Sequence, residues 1–297
     1  MEARLAFVHA LSPLHAGTGQ GIGVIDLPIA REKATGLPFL PGSSVKGSLR
    51  DLCTDEKQQK SIFGTGNEEK SQTMEHAGSV QFSDQRLLLL PIRSLVGTFA
   101  WVTSPYILQR FVRDAKVAGI NNLPESPKPL QETSCLVTTT SCLKHVVNNN
   151  SKVFLEDLDL TPSNNNTEVV KASNWANWLA SKIFADAEWQ DMLKARFCIV
   201  SDDLLSFLLE TATEVSARIV IDDETKTAKK GGLWYEETLP TETILSGLVM
   251  ANPPTRTGLE PGDIFKKIEE ITSSKTVQFG GKATVGHGLC SVKLIKQ

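Results

Sequence analysis

One stretch near the N-terminus combines a histidine, a glycine-rich run and a lone carboxylate. The sequence LHAGTGQGIGVIDLPIARE, residues 14–32, places His15 before glycines 17, 19, 21 and 23 and Asp26 after them. An imidazole titrates near neutral pH and a carboxylate accepts protons, so these residue types suit proton transfer. Glycines at every second position stabilise neither a helix nor a strand, so the pattern predicts a loop.

The spacing of these glycines does not match a phosphate-binding loop. A dinucleotide-binding fingerprint requires G-x-G-x-x-G and an acidic residue roughly 20 positions further on, whereas Asp26 comes much too soon. Residues 42–47 have the glycine spacing of an NTPase phosphate loop, but Ser48 stands where the lysine is required. We therefore reject both nucleotide-binding interpretations, and a mobile surface loop remains as the alternative to a functional one.

A short basic helix follows the glycine-rich loop. Pro41 and the glycine after it predict a turn, and Ser43 or Ser44 is expected to cap the helix. Lys46 and Arg50 lie four residues apart near its start. Such a pair is usually a solvated helix face, but together with the helix N-terminus it also forms a good phosphate seat.

The hydrophobic pattern predicts an α+β fold in which helices and strands are mixed and the C-terminal part is rich in strands. Alternation over residues 4–11 predicts a first strand with Leu5, Phe7 and Leu11 on one face. Helical spacing predicts a core-facing stripe on the basic helix, formed by Val45, Leu49 and Leu52.

The middle and the second half of the chain differ in character. Residues 119–172 carry clustered prolines and asparagine triplets, which predicts an irregular insertion, and Ser173 is expected to cap the helix that follows. Residues 217–221 and 233–235 predict the arms of a long hairpin with a charged tip, and the adjacent acids Glu236 and Glu237 follow its second arm.

Composition excludes several classes of protein. Apolar runs fall far short of the roughly 20 residues of a membrane span, the N-terminus lacks a signal-peptide pattern, and five scattered cysteines favour reduced thiols, so a cytoplasmic location is expected.

Zinc binding by Cys135, Cys142 and His145 is disfavoured by the wide cysteine gap and the missing fourth ligand. The formal net charge of −3 speaks against nucleic-acid binding, although residues 275–297 contain four lysines and no acid.

Three stretches together resemble a known family. LHAGTGQGIGVIDLPIAREKATGLPFLPGSSVKGSLR, LWYEETLP and FGGKATVGHGL are similar to the backbone subunit of the type III-B CRISPR effector, the Cmr complex, a member of the RAMP superfamily. The resemblance implies a single RAMP domain over residues 1–297, with a modified ferredoxin-like or RRM-like core. It further implies an insertion at about 119–190 and a protruding β-hairpin, the thumb, at about 211–240.

The resemblance also implies a function. Several copies would stack along one CRISPR guide RNA in a helical filament with other Cmr subunits, and each copy would cut a complementary single-stranded target RNA at regular intervals. The 2′-hydroxyl of RNA is the nucleophile, which implies products with 2′,3′-cyclic phosphate and 5′-hydroxyl ends. One carboxylate, Asp26, then suffices as a proton acceptor or as an outer ligand of Mg²⁺ or Mn²⁺.

The family pattern assigns further residues. His15 either shares the proton transfer or only positions the loop, and Glu236, rather than Glu237, is favoured as an assisting or loop-positioning residue. Where the family can carry a tyrosine, this chain has Thr238. The positions that match contacts to the guide RNA are Ser43, Ser44, Lys46, Arg50, Gly280, Gly281 and Lys282.

Three other functions remain open on the sequence. A RAMP subunit that binds guide RNA without cutting would share every feature except the role of Asp26. A RAMP endoribonuclease that matures the guide from its precursor would act as a lone subunit. An enzyme acting on a small nucleotide would be stabilised by that nucleotide and not by RNA.

Overall fold

The structure is a computed structural model that describes residues 1–19, 24–65, 77–252, 259–273 and 276–296. Gly21 and Gly23 of the predicted loop lie outside these ranges. The described part combines one large mixed sheet, a separate two-stranded hairpin and helices packed against the sheet. This confirms the predicted mixture of helices and strands.

The helices in the described ranges are α1 (Gly42–Leu52), α2 (Glu56–Phe63), α3 (Pro105–Val117), α4 (Asn166–Ile183), α5 (Ala187–Arg196), α6 (Asp202–Thr211) and α7 (Pro261–Ser273). None of them is long and apolar enough to cross a membrane. The strands in the same ranges are β1 (Glu2–Ala10), β2 (Phe39–Leu40), β3 (Val80–Phe82), β4 (Gln85–Arg93), β5 (Phe99–Thr103), β6 (Ser134–Val137), β7 (His145–Val147), β8 (Asn150–Leu155), β9 (Leu158–Pro162), β10 (Phe197–Ile199), β11 (Glu214–Ile221), β12 (Ala228–Thr238), β13 (Ile244–Ala251), β14 (Val277–Gln278) and β15 (Leu289–Ile295).

The large sheet is built around β1. Its order is β14-β15-β1-β13-β4-β5-β10-β6-β9-β8-β7, while β2 pairs with β4 and β3 pairs with β13. Strand β1 runs antiparallel to both of its neighbours, and its residues from Leu5 to Ala10 are buried on both faces. Two-sided burial explains the nearly continuous apolar sequence of β1, because neither face meets water.

Helices α3 and α7 cover this central part. Helix α3 packs on β1, β4 and β13, and α7 packs on β15, β13 and α1. Phe7 of β1 stacks on Phe111 of α3, and Phe111 in turn meets Trp175 and Trp178 of α4 edge to face. The aromatic contacts join α4, which follows the irregular middle of the chain, to the same core as β1.

The last residues of two predicted elements are exposed. Strand β1 ends at Ala10, so Leu11 lies beyond it and is 37% exposed, and Leu52 at the end of α1 is 37% exposed as well. The prediction that the first strand includes Leu11 and the prediction that Leu52 belongs to the core-facing stripe were therefore wrong. Periodicity identifies a buried face, but the last residue of an element loses its cover where the chain turns away.

The cap predicted for α1 is also wrong. Ser43 and Ser44 lie inside the helix, the N-cap residue is Pro41, and no side-chain cap comes from this position. The first amide is satisfied from elsewhere, because the N–H of Gly42 donates to Oδ1 of Asp84 at 2.9 Å. A carboxylate at a helix N-terminus satisfies an orphan donor and favours the positive end of the dipole.

The middle of the chain is more regular than its composition predicts. Strands β6 to β9 lie within residues 134–162 and extend the large sheet to its far edge. Helix α4 is capped by Asn165, whose side chain accepts the backbone N–H groups of Thr167 and Glu168. Ser173 is an interior residue of that helix, so its predicted role as a cap was wrong; the asparagine triplet supplies the cap instead.

The predicted hairpin is a separate two-stranded sheet. Strands β11 and β12 pair antiparallel from Glu214 opposite Thr238 to Ile221 opposite Ala228. Their residues are largely exposed until β12 reaches Glu236, Glu237 and Thr238, which are buried. The hairpin therefore projects from the body, and only the base of β12 enters it.

Gly42 at the start of α1 is under tight steric constraint, and we predict that Gly42→Ala destabilises the protein. An added Cβ would lie 2.2 Å from the carbonyl oxygen of Phe82, a backbone atom that cannot rotate away. We expect a loss of about 1–3 kcal/mol in the free energy of unfolding, measured by denaturant titration. Gly47 on the same helix is the matched control, since nothing lies within 4 Å of its added Cβ, and Gly47→Ala should stabilise by about 0.5–1 kcal/mol. Equal effects of the two substitutions would contradict this packing.

Candidate functional site

Three distant stretches of the chain meet at the base of the hairpin. The N–H of Leu14 donates to the carbonyl of Leu239, which follows β12, at 2.9 Å. The N–H of Gly281 donates to the carbonyl of His15 at 3.1 Å, and the N–H of Gly288 donates to that of Pro13 at 2.8 Å. The segments that carried the resemblance therefore meet in space, although the first ends about two hundred residues before the other two.

Asp26 is exposed and is oriented by the hairpin. Its Oδ2 accepts the backbone N–H of Tyr235 at 2.8 Å. The next residue, Leu27, donates its N–H to the carbonyl of Tyr235 and accepts the N–H of Glu237, both at 3.0 Å. Oδ1 of Asp26 has no hydrogen-bond partner among the described residues. The base of the hairpin thus holds one of the two carboxylate oxygens.

His15 is buried at the junction of the three stretches. Its Nδ1 lies 2.7 Å from the carbonyl oxygen of Glu237, and because a carbonyl only accepts, Nδ1 carries the proton. Its Nε2 faces Gly17, where an added Cβ would come within 2.5 Å. The ring is therefore enclosed by backbone on both sides.

Gly280 allows the glycine-rich C-terminal loop to approach His15. It has φ +71°, and an added Cβ would lie only 2.2 Å from the carbonyl oxygen of His15. Only glycine combines this left-handed conformation with so close a backbone approach. The neighbouring Gly281 is exposed and provides the amide that bonds His15.

Glu236 is buried and surrounded by cations. Its Oε1 lies 2.6 Å from Nζ of Lys282 and accepts Nε1–H of Trp234 at 2.6 Å, while Nε of Arg218 lies 3.4 Å from Oε2. Burial raises the pKa of Glu236, but the hydrogen bonds from Lys282 and Trp234 and the charges nearby outweigh it, so the pKa lies below its usual value. Glu236 is therefore an ionised anchor for the C-terminal loop.

Glu237 is equally buried but faces the other side of the strand. Its Oε1 accepts from Nη2 of Arg31 at 2.6 Å and from Oγ1 of Thr213 at 2.9 Å. Its Oε2 accepts the backbone N–H of Ile29 at 3.0 Å. Side chains alternate along a strand, so two adjacent acids serve two different partners.

Arg218 and His287 also belong to this site, and of the two only His287 lies in a stretch that carried the resemblance. Nη2 of Arg218 lies 3.2 Å from Nε2 of His287, and since a guanidinium only donates, the imidazole accepts and is neutral. Burial and the charge of Arg218 lower the pKa of His287. Arg218 lies opposite Trp234 in the hairpin register. Knowing where the hairpin turns would therefore have placed Arg218 beside Trp234 at this site. Arg31 and Thr213 have no comparable signal.

The residues predicted to contact RNA lie on two neighbouring elements. Ser43 is exposed and Ser44, Lys46 and Arg50 are half-buried on α1. Helix α1 packs against β14, the strand directly before the glycine-rich loop. In this structure Lys282 of that loop is paired with Glu236.

The donors at the site suit only a loosely held cation. No three His, Cys, Asp or Glu side chains come close enough to hold a metal in the described ranges. Glu236 and Glu237 are engaged by cations and amides, which leaves Asp26. Mg²⁺ is commonly bound by one carboxylate together with water and substrate phosphates, so the residues fit a hydrated ion shared with a bound phosphate.

The three residues considered as zinc ligands lie in β6, in the loop that follows it and in β7: Cys135, Cys142 and His145. Cys135 lies in β6 and is fully buried, and its thiol together with burial raises the pKa of the neighbouring Cys198 well above its usual value.

The chain is similar to known proteins along its whole length. The sequence profile of the RAMP superfamily matches residues 7–291. The Cmr endoribonuclease Cmr4 of a CRISPR system of Pyrococcus furiosus is 35% identical over an alignment 306 residues long, which covers 99% of this chain and 96% of the relative.

Solved structures agree with the sequence comparison. The crystal structure of oligomeric Cmr4 from Pyrococcus furiosus superposes with a TM-score of 0.75 at 29% identity, covering 99% of this chain and 98% of that one. A cryo-EM structure of a type III-B Cmr-beta complex bound to cognate target RNA contains a chain of the same fold, with a TM-score of 0.67, 19% identity and coverage of 99% and 97%. The chain therefore belongs to the RAMP superfamily, and within it to the family of backbone subunits of the type III-B CRISPR Cmr effector complex.

Proposed function

We propose that this chain is the repeating guide-RNA-binding subunit of a Cmr effector and that each copy cuts complementary target RNA beside Asp26. One observation carries the proposal: the exposed carboxylate of Asp26 is held by the Tyr235 amide at the base of the hairpin, where His15 also bonds the C-terminal glycine-rich loop. A relative at 35% identity is named an endoribonuclease, and a similar crystal structure is of an oligomeric form, which supports both activity and self-association.

The proposed reaction uses a nucleophile from the RNA itself. The 2′-hydroxyl attacks the adjacent phosphorus, the bond from phosphorus to the 5′ oxygen breaks, and a 2′,3′-cyclic phosphate and a 5′-hydroxyl remain. The proton of the 2′-hydroxyl must leave, and the 5′ oxygen must gain one. A carboxylate close to the hydroxyl would accelerate the first transfer, and we propose that Asp26 provides it.

His15 and Glu236 support the site without touching the reacting atoms. His15 fixes the carbonyl of Glu237 on one side and, through its own carbonyl, the amide of Gly281 on the other. Glu236 holds Lys282 of the same C-terminal loop. We propose that both are positioning residues, which keeps one of the two roles that the sequence allowed for His15.

We propose a guide-binding surface on α1 and the C-terminal glycine-rich loop. Lys46 and Arg50 have no ion-pair partner among the described residues, so both charges are available to phosphates. Ser43 and Ser44 add hydroxyl groups near the helix N-terminus, where backbone amides favour anions. Gly280, Gly281 and Lys282 form the loop that would lie against the guide.

A divalent cation, Mg²⁺ or Mn²⁺, is proposed as the cofactor. Asp26 would hold it together with the RNA, and the cation would neutralise charge that develops on the phosphate. Asp26 then acts either as the proton acceptor or as the ligand of this ion, and the two roles differ in their dependence on metal.

Asp26→Asn tests the catalytic assignment. The amide keeps the shape and the bond to the Tyr235 N–H but cannot accept a proton, so cleavage of target RNA by the assembled complex should fall at least ~100-fold. Assembly and target affinity should stay unchanged, as measured by gel shift. Asp157→Asn, at a fully exposed carboxylate elsewhere, is the matched control and should cleave normally.

Each outcome separates the rival functions. Normal cleavage by Asp26→Asn would show that the catalytic residue lies elsewhere. A wild-type complex that binds target without cutting it would identify a purely structural subunit. Cleavage of precursor RNA by the lone subunit would identify a guide-processing enzyme.

Removal of divalent cations tests the cofactor. We expect EDTA to abolish target cleavage and Mg²⁺ or Mn²⁺ to restore it, while target binding measured in parallel persists. The 3′ ends of the fragments should be 2′,3′-cyclic phosphates by mass spectrometry. Undiminished cleavage in EDTA would leave Asp26 as the proton acceptor and remove the metal from the proposal.

Lys46→Ala tests the guide-binding surface. Loss of one phosphate contact should weaken guide RNA binding about equally for all sequences and reduce the slope of log affinity against log salt by about one unit. Filter binding at several salt concentrations measures both. Lys116→Ala, at an exposed lysine of α3, should leave the slope unchanged. A loss confined to one guide sequence would argue against phosphate contact at Lys46.

A further inference from the structure

Glu237 makes several of the contacts between the hairpin and the segment that carries Asp26. Its backbone N–H bonds the carbonyl of Leu27, its carbonyl accepts from Nδ1 of His15, and its Oε2 accepts the N–H of Ile29. Its Oε1 accepts from Arg31. These four contacts flank Asp26 on both sides along the chain.

Arg31 extends the same connection to a third element. Its Nη2 also donates to the carbonyl of Leu209 in α6 at 3.1 Å, and its Nη1 donates to that of Gly36 at 3.1 Å. Thr213, between α6 and β11, donates to the Oε1 of Glu237 that Arg31 also binds. The Arg31–Glu237 pair therefore links the Asp26 segment to β12, to α6 and to the connection between α6 and β11.

Among the described residues, few backbone hydrogen bonds join the Asp26 segment to the hairpin. The bridge between Leu27 and Glu236 is isolated and belongs to no longer ladder. A register shift of one residue there would move the Tyr235 amide away from the Asp26 carboxylate. A buried carboxylate that takes three donors is directional and strong, so it fixes the register that the short bridge cannot fix alone.

We propose that Arg31 and Glu237 act as a pair of positioning residues that hold the Asp26 carboxylate in its reactive orientation. The inference rests on the proposed function and deepens it, because it names what sets the geometry of the same site. It also separates the adjacent acids: Glu237 orients the cleavage residue, whereas Glu236 anchors Lys282 of the glycine-rich loop. Misplacement of a catalytic group by about 1 Å can lower a rate ~100-fold, so loss of this pair should affect cleavage far more than binding.

The test measures single-turnover cleavage and target affinity separately, on the complex assembled with guide RNA. For Glu237→Gln we expect a cleavage rate at least ~10-fold below wild type and a target Kd within about two-fold of it. The Gln side chain keeps the size but presents an amide NH₂ to donors. If Glu237→Gln folds poorly, Arg31→Gln takes its place in the test, because the Arg31 side chain is 27% exposed. It should show the same loss of cleavage rate with little change in target Kd.

The double variant shows whether the two residues act as a unit. If Arg31 and Glu237 work only through each other, Arg31→Gln combined with Glu237→Gln should cleave no more slowly than the worse single variant. If the two residues acted independently, their losses of cleavage rate would multiply in the double variant, and this result would contradict the proposed pair.

Glu168→Gln controls for the loss of a buried carboxylate. Glu168 accepts from Lys171 at 3.1 Å and from the N–H of Lys128 at 3.0 Å, and it lies on α4, outside the proposed site. This variant should lower thermal stability without changing the cleavage rate.

The remaining outcomes are decisive. Wild-type cleavage by both Glu237→Gln and Arg31→Gln would overturn the proposal, as would a loss of target affinity as large as the loss of rate. Normal cleavage by Asp26→Asn would refute the proposed function instead, so the two failures are distinguishable.

Discussion

The burial of two adjacent carboxylates at the end of β12 is the constraint on which the site depends. Alternation along the strand sends Glu236 and Glu237 to opposite sides, and each must find cations or N–H donors where it points. A buried charge left without a partner costs about 3–5 kcal/mol. Lys282 and Arg31, from opposite ends of the chain, satisfy the two acids, so folding of the hairpin base brings both termini to it.

Glycines make this convergence sterically feasible. Gly17 leaves room for the ring of His15, and Gly280 lets the C-terminal loop touch the carbonyl of the same histidine. A glycine-rich run is thus more than a flexible tether here, since at these two positions it permits backbone to pack on backbone. Oδ2 of the nearby Asp26 is held by the Tyr235 amide, and Oδ1 has no hydrogen-bond partner among the described residues.

The negative net charge of the chain is compatible with an RNA-binding surface. Acids such as Glu32 are neutralised within the protein, where hydrogen bonds and charge from Arg110 outweigh burial and lower its pKa. Lys46 and Arg50 lack such partners among the described residues. Binding of a polyanion depends on unpaired local cations, and the sum over the chain does not measure them.

The sequence alone determined the mixed fold, the first strand, the basic helix and the hairpin, because periodicity and turn residues act over a few positions. Its motifs also singled out Asp26. It misplaced the cap of α1, which Asp84 supplies from another loop, and it gave no sign of Arg31 or Arg218. Only the tertiary structure decided these partners, because a buried charge is satisfied by whatever lies nearest in space, and local patterns do not encode which distant segments meet.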